Sequence, residues 1–94
     1  MHDPAALDIA QARVAAERLL EGLDLRAFVF TVEPKEEGWQ LSVECASGAE
    51  WQTISLHVDL KELRASLHDS GTRERLRERW SERLRGCERG GLAS

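Results

Sequence analysis

Three histidines and two cysteines are the residues of this 94-residue chain best suited to chemistry, and their spacing decides whether they perform any. His2, His57 and His68 stand at no ligand-like interval from one another, from a cysteine or from a carboxylate along one element, so no zinc-type set is expected. Cys45 and Cys87 form no close pair, which points away from a disulfide framework and from a metal site. Cys45 reads as a small core residue, and Cys87 as a thiol near a fraying, exposed end. His57 shares one side of an extended run with Thr53 and Ser55. Side-by-side strand neighbours, however, lack the oriented acid and the oxyanion donors that a Ser-His pair needs. No glycine-rich loop opens a helix to cradle a phosphate, because Gly90-Gly91 falls in the C-terminal tail. No catalytic, cofactor-binding or metal-binding residue is therefore expected, no cofactor is implied, and an enzyme is the least favoured class.

Charge narrows the choice among binding proteins. A formal net charge of -4 argues against a surface that attracts nucleic acid or anionic lipid as a whole. The exception is the segment 71–94, where seven Arg stand against four Glu. No signal peptide and no apolar run of membrane-spanning length is visible, so a reducing, cytoplasmic setting with no membrane partner is expected.

The elements that position these residues are set by periodicity. Trp39, Leu41, Val43 and Cys45 alternate with polar residues, as do Ile54, Leu56 and Val58, which is the period of half-buried strands. A two-residue turn at Ser47-Gly48 places Leu41 opposite Ile54 and Trp39 opposite Leu56. Phe28, Phe30 and Val32 make a third strand ending before Pro34, with Phe30 near Leu41 and a charged connection onward to Trp39. Before the strands, residues 3–22 form an amphipathic helix with Asp3 as cap, Pro4 at its first position and a stripe of Ile9, Ala12, Ala16, Leu19, Leu20 and Leu23. Its Asp8, Gln11, Arg18 and Glu21 read as solvated. After the strands, Asp59 and Glu62 make a capping box for a short helix carrying Leu60, Leu63 and Leu67. Thr72 caps a last, Arg-rich helix that runs to about Arg85, with Leu76, Trp80, Leu84 and Cys87 on one line.

The chain is thus expected to be a single small α+β domain of order αβββαα over residues 1–87, with a mobile tail at 88–94. Its three-stranded antiparallel meander carries the first two helices on one face. The helix–strands–helix order over about residues 5–69 resembles the double-stranded-RNA-binding domain in topology. That family opens its second helix with a glycine-rich turn and a lysine cluster on the RNA phosphates. The matching stretch here is HVDLKELRASL, in which Asp59 and Glu62 accompany only Lys61 and Arg64, so none of the family's binding residues carries over.

Two surfaces remain for function. The outer sheet face gathers Val29, Thr53 and neighbouring small residues around Trp51, and the last helix offers Leu76, Arg79, Trp80 and Arg83. Either the helix folds back so that Trp80 and Leu84 cover Trp51 and Val29, or both are open to a partner. The expectation is a small protein-interaction module, an adaptor, chaperone-like or assembly-accessory protein. It would bury Trp51 or Trp80 in a homodimer or partner complex, with Arg79 and Arg83 as rim charges. The alternative is a nucleic-acid-binding module using the Arg-rich helix.

Overall fold

Short hairpin connections force successive strands to lie side by side, and here they build the whole sheet. The computed structural model describes residues 4–36 and 38–89, with the backbone alone for residues 4–6. His2, the expected cap Asp3 and residues 90–94 of the expected tail lie outside the described residues. The order is α1 (Pro4–Glu21), β1 (Phe28–Lys35), β2 (Gly38–Ser47), β3 (Glu50–Val58), α2 (Leu60–Ser66) and α3 (Ser70–Arg83). The three strands form one open antiparallel sheet in the order β1-β2-β3. The small α+β domain expected from the sequence is the fold observed.

The register differs from expectation by two residues. Ser47 pairs with Glu50, so the turn is Gly48-Ala49, Leu41 faces Leu56 and Trp39 faces Val58. Gly48 adopts a φ of 67°, which suits glycine at the first position of a two-residue hairpin loop. On the other side of β2, Val43 faces Phe30 and Leu41 faces Val32, again two residues from the expected pairing. Because the side-chain period of a strand is two, such a shift leaves every residue on its expected face. β1 also runs through Pro34, which pairs with Trp39, to Lys35. Proline is tolerated there because β1 is an edge strand, and the missing N–H belongs to its unpaired side.

The helices all lie over the inner face. Leu41, Val43, Val32, Leu56 and Val58 share one core with Ala12, Ala16, Leu19 and Leu20 of α1, Leu63 of α2, and Leu76, Trp80 and Leu84 at α3. The alanines let α1 approach closely, and Phe28, Phe30, Trp39 and Ile54 close the margins. Arg64 of α2 pairs with Asp8 and donates to Gln11 at 2.7 Å, so these two α1 residues tie the helices together rather than facing water alone.

Caps account for the breaks between helices. Asp59 accepts from the Lys61 N–H at 2.9 Å, but Glu62 does not complete a capping box and instead meets Arg79 at 3.1 Å. α3 starts three residues earlier than expected, because Asp69 rather than Thr72 is its cap. One Asp69 carboxylate oxygen accepts from the Thr72 hydroxyl at 2.6 Å and from its N–H at 3.0 Å. These bonds, the hydroxyl's first, hold the Asp69 carboxyl below the ordinary carboxylate value. A lowered folded-state pKa means that the stabilisation is present above the unfolded value of about 3.9 and lost as pH falls through the folded one. Acid titration followed by circular dichroism should therefore show a loss in this range that Asp69→Asn, which retains an acceptor without a titrating proton, does not share.

The C-terminal end corrects the reading of the cysteines. Cys45 and Cys87 form a disulfide across a sequence separation of 42 residues, with Cα atoms 5.5 Å apart. Cys87 is buried, 3% exposed, rather than lying at an open end. Proximity in the fold, invisible in their spacing, makes the pair. Beyond it, Glu88 donates its N–H to the Ala46 carbonyl and accepts from the Arg26 N–H, both at 2.8 Å. Arg89 bridges to Leu25 and donates to the Leu23 carbonyl at 2.6 Å. Glu88 and Arg89, expected in the mobile tail, are thus stitched to the sheet's end.

Candidate functional site

Strand alternation sorts the outer face into cross-strand rows. Ala46 lies beside Trp51, Val29 beside Glu44 and Thr53, Thr31 beside Ser42 and Ser55, and Glu33 beside Gln40 and His57. Ser42 and Ser55 hydroxyls lie 3.5 Å apart, and Gln40 donates to the Ser42 hydroxyl at 3.2 Å. No helix covers this face, since all three join the core on the other side. Val29 is consequently 54% exposed and Trp51 58% exposed. An open depression beside Val29 is lined by Val29, Phe30, Thr31, Ser42, Glu44 and Thr53.

The seven expected partner-contacting residues separate into three groups. Val29, Trp51 and Thr53 stand together on the open outer face. Leu76 and Trp80, each 2% exposed, are in the domain's own core and present no surface. α3 does fold back, as one of the two expected arrangements had it, but over the inner face, so it leaves Trp51 and Val29 uncovered. Arg79 is paired with Glu62, while Arg83 lines a recess with Lys35, Trp39, Gln40, Ser55, Leu56 and His57, so neither lines the depression beside Val29. Core packing outweighs any other use for Trp80, because full burial of an indole on the apolar stripe of α3 removes the most nonpolar area from water.

His57 is exposed and makes no side-chain hydrogen bond among the described residues. Its ring sits over Gly38, where an added Cβ would come within 2.7 Å of it, and the φ of 128° at Gly38 also calls for glycine. Among the described residues no group of three or more His, Cys, Asp or Glu is placed to hold a metal ion. Nor is any described helix long and apolar enough to cross a membrane.

A feature that residue types alone did not flag is the outer edge of β3. Ala46 donates to the Ala27 carbonyl at 3.2 Å, on the β1 side. Even-numbered residues of β2 therefore bond toward β1 and odd-numbered ones toward β3. Trp51, Thr53, Ser55 and His57, which face those even-numbered residues, must turn their own N–H and C=O groups outward. No described residue hydrogen-bonds to them. The signal available beforehand was Pro34 in β1, a residue that blunts one edge, with no counterpart in β3.

These features define a small α+β domain with one layer of helices and one bare sheet face. No family model, curated protein or solved structure matches this chain.

Proposed function

We propose that this chain is a small protein-interaction module, an adaptor or assembly-accessory protein, which acts by burying its Val29 and Trp51 surface against another protein. The first occupant to consider is a second copy of the chain. The observation that carries this reading is the uncovered outer sheet face, where a tryptophan 58% exposed and a valine 54% exposed flank small hydroxyl residues. Exposed aromatic groups of this kind anchor interfaces, because their burial removes a large nonpolar area at little cost in side-chain entropy. No catalytic step enters the proposal.

The Arg-rich α3 supports a nucleic-acid reading less well. Arg73 donates to the Ser66 carbonyl at 3.0 Å, Arg75 to the Thr72 hydroxyl at 3.2 Å and Arg79 to Glu62 at 3.1 Å. Glu78 and Glu82 lie beside Arg75 and Arg79. Phosphate binding would have to compete with these partners. The cytoplasmic setting expected from the sequence rested on there being no visible signal peptide or membrane-length apolar run, whereas the Cys45–Cys87 pair favours an oxidising compartment.

Sedimentation or light scattering of the full chain tests the proposal. Self-association through this face in the micromolar range is expected, and Val29→Glu should weaken that contact at least tenfold while leaving the circular dichroism spectrum unchanged, because a buried unpaired carboxylate costs far more than about 1.4 kcal/mol. A chain that is monomeric at high micromolar concentration, or a Val29→Glu variant that associates like the parent, would count against this face.

A further inference from the structure

The two edges of the sheet are not equivalent. β1 ends in Glu33, Pro34 and Lys35, the residues that discourage strand addition, and α1 packs beside it. β3 reads EWQTISLHV, nine residues with no proline, no lysine and one formal charge at its start. Its outward backbone groups at Trp51, Thr53, Ser55 and His57 have no partner among the described residues. A row of this length asks for another extended strand, because only a strand supplies donors and acceptors at the same repeat.

We infer that β3 pairs with β3 of a second copy, antiparallel about a two-fold axis at Ile54, to make one continuous six-stranded sheet. The sequence of β3 fits itself in this register. Trp51 comes opposite His57 of the second copy and Thr53 opposite Ser55 of the second copy, so every outward N–H and C=O in that stretch finds a mate. Displacing the axis to Thr53 or to Ser55 leaves His57 or Trp51, respectively, without one. The side chains agree with the backbone: hydroxyl meets hydroxyl, indole meets imidazole, and Ile54, only partly covered by its own core, meets Ile54 of the second copy. Glu50 comes opposite Val58 of the second copy, so no like charges face each other. The pairing is isologous and closes as a dimer, which removes the exposed edge instead of propagating it. It rests on the interaction-module reading and adds a second contact between copies, since pairing at the β3 edge leaves Val29 and the outer face uncovered. It also joins the outer faces of the two copies into one surface with a Trp51 on each side of the axis.

Two variants of the full chain test the edge. Thr53→Pro removes an outward N–H without breaking a bond to β2, as Pro34 already does in β1, and should raise the dimer dissociation constant at least tenfold in sedimentation. Ile54→Cys places a thiol on the axis, where facing Cα atoms of a non-hydrogen-bonded pair lie about 4.5 Å apart and can be bridged. Both native cysteines are already bonded, so mild oxidation should yield a covalent dimer on a non-reducing gel. A Thr53→Pro chain that still dimerises like the parent, or an Ile54→Cys chain that stays monomeric, overturns the inference. If Thr53→Pro loses its fold by circular dichroism, the cross-link alone decides, its presence supporting the edge and its absence refuting it. Association abolished by Val29→Glu but indifferent to Thr53→Pro would move the contact to the outer face and leave the interaction-module reading standing.

Discussion

Trp80→Ala is expected to destabilise the domain by about 3–5 kcal/mol, the range for removing a large aromatic from a packed core. Trp80 is 2% exposed and shares the core with Leu19, Leu41, Leu63 and Leu84, so its loss opens a cavity that the helices and sheet cannot both close. At concentrations where the chain is monomeric, Trp51→Ala should change stability by no more than about 0.5 kcal/mol, because its ring is then mostly in water. Denaturant unfolding of both variants gives the comparison. The destabilisation by Trp80→Ala should not depend on protein concentration; a concentration-dependent loss would place the indole between chains rather than within one.

The second large effect belongs to the disulfide. Replacing Cys45 and Cys87 together by alanine should cost roughly 4 kcal/mol, the chain-entropy value for a loop of this length. The pair spans 42 residues and holds the segment after α3 to the central strand. Its loss should also free Glu88 and Arg89 from Ala46, Arg26 and Leu23, which hydrogen exchange at the Arg26 and Glu88 amides would register. A reductant should bring the parent chain to the stability of the double variant and leave the variant unchanged. A difference below about 1 kcal/mol would mean that the burial around Cys87, and not the covalent link, secures this end.

Both predictions turn on residues whose types were plain in the sequence and whose surroundings were not. The line of Leu76, Trp80, Leu84 and Cys87 was legible at helical spacing, and all four are buried. What that line packs against was not legible, because an apolar stripe specifies burial without naming the surface that provides it. The two sheet faces could be separated because alternation survives the two-residue slip in both registers. The slip arose because Gly48 serves as the first loop residue and not the second, with the positive φ that glycine accepts there.

The Trp39–Val58 hairpin, the amphipathic first helix and the αβββαα order were therefore determined by the sequence itself, since they depend on periodicities and turn residues only a few positions apart. The tertiary structure alone decided that Cys45 meets Cys87, that α3 covers the inner face and leaves Val29 and Trp51 bare, and that β3 keeps an open edge. Each of these joins residues distant in the chain or depends on which element is left without a neighbour. Such relations follow from how the layers compete to bury their apolar faces, a property of the whole fold that no local stretch of sequence contains.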